Sequence, residues 1–131
     1  MVEGFLIDTN TVIDYLDNKL PIESNSLIDS VHSQISVITR IELLGWANAT
    51  EEQTSVLEQF VKTSIVYNLE ESVILKVIEL RKTISIKLPD AIIAATALQN
   101  NLTLITRNKN DFKNLQSLKI LDPYQYKLDR K

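Results

Sequence analysis

The sequence predicts an α/β fold, a three-layer α/β/α sandwich with a central, mostly parallel sheet. Short apolar runs of strand length alternate with amphipathic runs of helix length, and the first run, residues 4–8, is apolar without interruption until its final Asp. Uninterrupted apolar strands are typical of parallel sheets that helices cover on both faces. The 131 residues, 44% of them hydrophobic, suit one domain over residues 1–131, with a core at about 4–121 and a polar tail at 124–131.

The first strand is followed by Thr9 and Asn10, either of which is predicted to cap the next helix. Apolar residues at helical spacing then predict a helix that ends near Asn18. A second, short helix is predicted over residues 23–31, because its apolar side chains also recur at helical spacing.

The second strand is predicted over residues 34–38, where Gln and Ser flank apolar residues. Thr39 is then expected to cap a helix over residues 40–47. A further helix is predicted over residues 51–62 from its helical apolar spacing, and a short strand over residues 64–67.

The C-terminal half begins with a long amphipathic helix, predicted over residues 70–84. Pro89 indicates the start of the next helix, over residues 90–98, because proline is favoured in the first turn. Strands are predicted over residues 101–106 and 117–121. The alternation of strands and helices therefore continues to the end of the chain.

The composition excludes several classes of site. The chain has no Cys and one His, His32, which excludes Cys/His zinc sites and cysteine nucleophiles. The only glycines are Gly4 and Gly45, too few for a dinucleotide fingerprint or a P-loop. No serine lies on a strand-to-helix elbow near His32, so a serine triad is not predicted. Carboxylates remain as the main source of chemistry.

The charge and the hydropathy pattern limit the partners. A net charge of −3 argues against a nucleic-acid-binding protein, unless several acids are grouped to hold metal ions. No apolar run reaches the length of a membrane span, and the first residues are not a basic signal region. We therefore expect a soluble, cytoplasmic protein with no membrane partner.

Four acids fall near predicted strand ends or helix starts, namely Asp8, Glu42, Asp90 and Asp111. Functional groups of parallel sheets collect beyond the carboxyl ends of the strands, so we expect these acids to lie together. Carboxylate oxygens suit Mg²⁺ or Mn²⁺, and such ions support the hydrolysis of phosphodiesters. The hypothesis is a metal-dependent hydrolase acting on phosphodiester bonds.

Each acid also has a simpler interpretation when it is considered alone. Asp8 has the position of a helix cap, and Asp90 complements a helix dipole in a first turn. Glu42 would complete a capping box with Thr39, and Asp111 would be an ordinary loop residue. The joint occurrence of all four favours the functional interpretation.

Four segments together resemble the PIN-domain ribonucleases. The single-domain length is most similar to the VapC toxins of type II toxin–antitoxin systems, and the resemblance runs from about Phe5 to Leu121. The matching segments are Leu-Ile-Asp-Thr-Asn at 6–10, the run from Ser to Gly at 36–45, the Leu-Pro-Asp helix start at 88–97 and the Leu-Ile-Thr-Arg-Asn segment with Asp-Phe at 104–112.

This resemblance implies an endoribonuclease that depends on Mg²⁺ or Mn²⁺, is often a homodimer and is inhibited by a cognate VapB-like antitoxin. Asp8, Glu42 and Asp90 match the three core acids of the family. Asp111 matches the Asp of the frequent Asp-Phe pair and is expected to be the fourth acid, with Asn108 as the alternative position. Because all three core acids are present, the second hypothesis, a non-enzymatic PIN-like binding module, is less favoured.

Supporting roles are expected for polar neighbours of the acids. Asn10 is expected to orient Asp8 or a metal-bound water, with Thr106 and Asn108 beside the fourth acid. Phosphate contacts are predicted for basic residues near the acids in sequence, although a solvated charged rim explains them equally well; they are Arg40, Lys87, Arg107, Lys109 and Lys113. Tyr15 and Trp46 are candidates for base stacking or an antitoxin groove, with core or dimer packing as the alternative.

A phosphotransferase of the haloacid-dehalogenase type is the other enzyme class that places a nucleophilic Asp at the end of a strand. That class requires a second Asp two residues later, and Asn10 occupies that position. A receiver domain requires an acidic pair after its first strand, whereas Asp8 stands alone. Neither class is favoured.

Overall fold

The protein was analysed as a computed structural model, which describes residues 4–127. A sheet of five parallel strands forms its centre, in the order β3-β2-β1-β4-β5. The strands are β1 (Gly4–Ile7), β2 (Gln34–Ser36), β3 (Ile65–Tyr67), β4 (Leu102–Ile105) and β5 (Ile120–Leu121). Helices cover both faces, so the predicted three-layer α/β/α fold is confirmed.

The helices divide between the two faces of the sheet. They are α1 (Thr9–Leu16), α2 (Ile22–Ser30), α3 (Val37–Leu44), α4 (Glu51–Thr63), α5 (Glu71–Thr83) and α6 (Leu88–Gln99). Leu6 and Leu104 point into the apolar cluster formed with α5 and α6. Ile7 and Ile105 point into the opposite cluster, formed with α1 to α4, because successive strand residues face opposite sides.

β1 is the central strand, and the order in which the chain adds strands to the sheet reverses beside it. The chain runs from β1 to β2 and β3 on one side, whereas β4 and β5 lie on the other. β1 and β4 are in register over their full length, with Leu6 opposite Leu104 and Ile7 opposite Ile105. The gap between the ends of β1 and β4 is therefore the topological switch point, where parallel sheets bind ligands.

Two predicted helix starts are wrong. The strand predicted over 34–38 ends at Ser36, and α3 begins at Val37. Ser36 rather than Thr39 caps this helix, because its Oγ accepts a hydrogen bond of 3.2 Å from the Thr39 N–H. A capping box between Thr39 and Glu42 is therefore also wrong. Similarly, Asp8 caps α1, rather than Thr9 or Asn10.

The C-terminal segment packs back on the domain as far as the structure describes it. Tyr124 donates a hydrogen bond of 2.8 Å to Asp14 Oδ2, and Lys109 contacts both Asp122 and Gln125. The polar tail predicted over 124–131 lies partly outside the described residues, from 128 onward. Between residues 4 and 127, no helix combines the length and the apolar character needed to cross a membrane.

Candidate active site

A cavity of about 330 Å³ lies beyond the ends of β1 and β4, and it gathers all four predicted acids. Each acid comes from a different part of the chain: Asp8 follows β1, Glu42 lies on α3, Asp90 lies in the first turn of α6 and Asp111 lies in a 3-10 helix, Lys109–Phe112. The rest of the lining consists of Thr9, Asn10, Lys87, Pro89, Ile93 and Asn108.

Asp8 is the most buried of the four acids, with 7% of its surface exposed. Its Oδ1 accepts a hydrogen bond of 2.8 Å from the Thr9 N–H, and its Oδ2 accepts one of 2.8 Å from Thr106 Oγ1. Burial raises the pKa of Asp8; these two hydrogen bonds oppose that rise, and the nearby charges of Glu42 and Asp111 add to it. The same carboxylate thus caps α1 and faces the cavity.

The direction of the Thr106 hydrogen bond follows from its second contact. Thr106 is fully buried at the end of β4, and its Oγ1 accepts a hydrogen bond of 3.0 Å from the Asn108 N–H. The hydroxyl proton is therefore available to Asp8, and the loop after β4 is tied to the strand end through the same atom. Thr106, predicted as a supporting residue, contacts Asp8 directly.

Glu42 is exposed on α3 but is held by a threonine. Thr9 Oγ1 donates a hydrogen bond of 2.6 Å to Glu42 Oε1 and lies 3.0 Å from Thr39 Oγ1. Because Thr9 has one hydroxyl proton and an ionised carboxylate only accepts, the buried Thr39 must donate to Thr9. Thr9 therefore fixes Glu42, a role that the sequence analysis missed because it considered Thr9 only as a cap.

Asp90 is half-buried in the first turn of α6. It therefore does lie where a carboxylate complements the helix dipole, as the simpler interpretation predicts. Its pKa is raised by burial, then by the charges of Asp111 and Asp8, while Lys87 opposes the rise. The pKa shifts of Asp8 and Asp90 share a cause: several carboxylates face one cavity, and each disfavours ionisation of the others.

Asp111 and Asn108 both line the cavity, so the two alternatives for the fourth position face the same space. Asn108 immediately precedes the 3-10 helix, and Asp111 is exposed within it. The structure places Asn10 in the lining as well, whereas the lining does not include Arg40 or Arg107.

Arg107 instead belongs to a network that the sequence analysis missed. Asp14 is buried on α1. Its Oδ2 accepts a hydrogen bond of 2.9 Å from Arg107 Nη1, which is also an ion pair, and a hydrogen bond of 2.8 Å from the Tyr124 hydroxyl. These partners are 93 and 110 residues away from Asp14 in sequence, so no local pattern connects them. The network joins α1, the loop after β4 and the C-terminal segment.

The donor chemistry of the cavity fits a hard divalent cation, because carboxylate oxygens are the ligands that Mg²⁺ and Mn²⁺ prefer. The raised pKa values of Asp8 and Asp90 point the same way, since burial first and neighbouring carboxylates second disfavour their ionised forms, and a bound cation would favour those forms. Within the described part of the chain, however, no three acidic or histidine side chains stand close enough to hold an ion as they are. A bound ion would therefore require some of these carboxylates to come closer together.

The two predicted aromatic candidates lie on the other face of the sheet, Tyr15 on α1 and Trp46 in the loop between α3 and α4. Trp46 is 43% exposed and lines a groove of about 330 Å³ with apolar residues of α1 and α4. Tyr15 packs against Phe60 at a ring-centroid distance of 6.4 Å, and its hydroxyl donates to Asp29. That hydrogen bond is the largest cause that raises the pKa of Tyr15 to about 12.

Comparison with known proteins adds three findings. The family model of the PIN domain matches residues 5–118. A protein named Ribonuclease VapC, from Rickettsia bellii (strain RML369-C), is 29% identical over 128 residues, which cover 90% of this chain and 95% of that protein.

Two solved structures are similar along nearly their whole length. A chain of a toxin–antitoxin complex from Klebsiella pneumoniae is 30% identical with a TM-score of 0.76, covering 94% of this chain and 100% of that chain. A chain of DNA-bound VapBC from Salmonella typhimurium is 26% identical with a TM-score of 0.78, covering 92% and 98%.

Proposed function

This chain belongs to the PIN-domain family, and on that premise we propose that it is an endoribonuclease that depends on Mg²⁺ or Mn²⁺. We propose further that it is the toxin of a VapBC-type toxin–antitoxin module. The name of the Rickettsia bellii relative supports the activity, and the Klebsiella pneumoniae and Salmonella typhimurium complexes support the module.

One observation carries the proposal: four acids from four separate elements line a single cavity at the switch point of the sheet. Burial, followed by the charges of the neighbouring acids, raises the pKa of Asp8 and of Asp90, so the ionised forms of these two carboxylates are disfavoured in this cavity. An arrangement that is unfavourable without a cation is typical of a functional site.

The residues of the chain have distinct roles in this proposal. Asp8, Glu42, Asp90 and Asp111 would hold the cation. Asp8 is fixed by Thr106 and by the start of α1, and Glu42 is fixed by Thr9. Asp90 is positioned by the first turn of α6.

When bound, the divalent cation supplies Lewis-acid stabilisation of the charge that develops on the phosphate and helps to activate a water molecule. Asn10 and Asn108 line the same cavity and offer neutral amide donors for the phosphate or the water. Between them, the four acids and these amides account for water activation and phosphate binding without His or Cys.

The test compares the wild type with Asp8→Asn on a pool of cellular RNA, each with Mg²⁺, with Mn²⁺ and with EDTA. We expect metal-dependent cleavage by the wild type only. Equal cleavage by both proteins, or undiminished cleavage in EDTA, contradicts the proposal. Mapping of the new RNA ends then identifies the cleaved site.

The competing function is a non-enzymatic PIN-like binding module. It predicts that the wild type binds a partner without cleaving RNA and gains no thermal stability from Mg²⁺. The metal-nuclease proposal predicts a higher Tm with Mg²⁺, because only the native state gathers the acids. A Glu42→Gln/Asp90→Asn variant should lose this Mg²⁺-dependent rise.

We propose the groove beside Trp46 as a contact surface for the antitoxin, because it offers apolar area. Trp46 is the single tryptophan of the chain, so its fluorescence reports on this groove alone. We expect a VapB-like antitoxin to shift that emission and Trp46→Ala to weaken the complex. The proposed homodimer is tested by light scattering of the purified chain.

A further inference from the structure

A second cavity, of about 430 Å³, adjoins the acid cavity and has a different character. The two share Lys87, Asp90 and Asp111 in their linings, so they are adjacent. Away from the shared residues, the second cavity is lined mainly by basic and neutral polar side chains, namely Arg81, Ser85, Asn110, Lys113 and Asn114, together with the apolar Ile86.

Among residues 4–127, the basic side chains of this second cavity form no close ion pair with another group of the protein. In the described chain, Arg81 and Lys113 make no ion pair and no side-chain hydrogen bond. Lys87 acts on Asp90 through its charge but forms no close ion pair. All three are exposed and remain able to bind an anion.

The basic residues in the loop after β4 differ in this respect. Arg107 is paired with the buried Asp14 at 2.9 Å, and Lys109 is paired with Asp122 at 3.5 Å. Both positions were predicted to contact phosphates, yet each already has a carboxylate partner. The basic residues that line the second cavity have no such ion pair among the described residues.

We propose that the second cavity is a subsite for the single-stranded RNA backbone that flanks the scissile phosphate. In this arrangement, which rests on the function proposed above, the reacting phosphate lies among the acids. The adjacent phosphates follow the chain across Lys87 to Arg81, at the last turn of α5, and to Lys113, after the 3-10 helix.

RNA fits this cavity better than an acidic peptide does. A nucleic acid strand has phosphates in continuous succession, and the cavity begins at the acids where one of them would react. Ser85, Asn110 and Asn114 add neutral polar groups of the kind that contact phosphate and sugar oxygens. An acidic peptide has no phosphodiester that could react among the acids where the two cavities adjoin.

The test measures binding of a fluorescein-labelled single-stranded RNA of about 12 nucleotides by anisotropy, in EDTA and at about 0.15 M salt. We expect Arg81→Gln/Lys113→Gln to bind about tenfold more weakly than the wild type. The slope of log Kd against log salt should decrease by about 1.4, the value for two lost contacts to a single strand. Arg81→Lys/Lys113→Arg should restore binding.

The matched control is Lys62→Gln/Lys82→Gln, which removes the same charge from the last turns of α4 and α5 but outside the cavity. We expect it to bind RNA like the wild type. Equal weakening in both double variants, or no RNA binding by the wild type, overturns the subsite. Tighter binding of polyglutamate than of RNA assigns the cavity to an acidic protein and overturns it as well.

Failure of the subsite is distinguishable from failure of the proposed function. Hydrolysis of bis(p-nitrophenyl) phosphate with Mn²⁺ requires the acid cavity but no flanking phosphate, so in the wild type it tests the proposed function alone. If the wild type hydrolyses neither this diester nor RNA, the proposed function fails, while the anisotropy result still decides whether the second cavity binds RNA.

Discussion

The Thr106 hydroxyl donates a hydrogen bond of 2.8 Å to Asp8 Oδ2, and this contact joins the ends of two adjacent parallel strands. Both side chains are buried, so water does not replace the bond if it is lost. The same hydroxyl accepts from the Asn108 N–H. One oxygen atom therefore connects the most buried acid of the cavity with the loop that carries the fourth acid.

Replacing Thr106 with Val should destabilise the protein by about 1–3 kcal/mol, because it leaves the buried Asp8 oxygen and the Asn108 N–H without their partner. RNA cleavage should also fall by about 10–100-fold, as is usual when a residue that orients a metal-binding side chain, here Asp8, is lost. Thr106→Ser retains the hydroxyl and should restore most of both properties. Urea denaturation and cleavage rates measure them; equal behaviour of Val and Ser contradicts the role.

Two replacements at Asp8 should separate its function from its cap. Asp8→Asn keeps a good cap for α1, so stability without metal should be unchanged or higher, while cleavage falls more than about 100-fold. Asp8→Ala should lose the same activity and about 1 kcal/mol of helix-cap stability. Thermal denaturation and RNA cleavage distinguish the two. A large loss of stability in Asp8→Asn would mean that the charge itself maintains the fold.

The raised pKa values of Asp8 and Asp90 predict how stability without metal depends on pH. From the ordinary value of 3.8 up to the raised native value, the folded state retains protons that the unfolded state releases. Stability should therefore decrease as pH rises through this range, and the deficit should be complete above the native pKa values.

Urea denaturation from about pH 4 to pH 7 in EDTA measures this effect. The Asp8→Asn/Asp90→Asn variant should gain stability relative to the wild type as pH rises, and Mg²⁺ should cancel part of the gain by stabilising the wild type. A difference that does not change with pH contradicts the raised pKa values of Asp8 and Asp90.

Asp14 should matter more for stability than its neighbour Asp17. Asp14→Asn weakens the ion pair with Arg107 and should cost about 1–3 kcal/mol, since it affects hydrogen bonds to a buried charged group. Asp17 pairs with Lys19 at 3.8 Å on the surface, so Asp17→Asn should cost less than about 1 kcal/mol. If urea denaturation gives the same loss of unfolding free energy for both variants, the buried network stabilises the protein no more than the surface ion pair does.

The three-layer α/β/α fold and the location of the four acids around one cavity could both be predicted from the sequence. The apolar run before Asp8 indicated a buried strand, and the alternation of strands with helices indicated a parallel sheet. From these, the rule that parallel sheets collect functional groups at the carboxyl ends of their strands placed the four acids together. They line one cavity in the structure.

Helix starts and distant contacts were harder to predict for physical reasons. Val37 and Ile38 have the β-branched side chains of a strand, but the Ser36 side chain caps a helix there, and capping prevails over this weak preference. The contacts of Asp14 with Arg107 and Tyr124 depend on the fold bringing distant segments together. Likewise, nothing local distinguishes the free Arg81 and Lys113 from the paired Arg107 and Lys109.

The central position of β1 has a consequence for synthesis of the protein. Asp8 emerges from the ribosome early, but Thr106 follows it by 98 residues, and β4 must pair with β1 before the two meet. Until then the nascent chain has at most the β1, β2 and β3 side of the sheet, with one edge of β1 open. Any RNA cleavage by this fold is therefore delayed until β4 has been synthesised and has paired with β1.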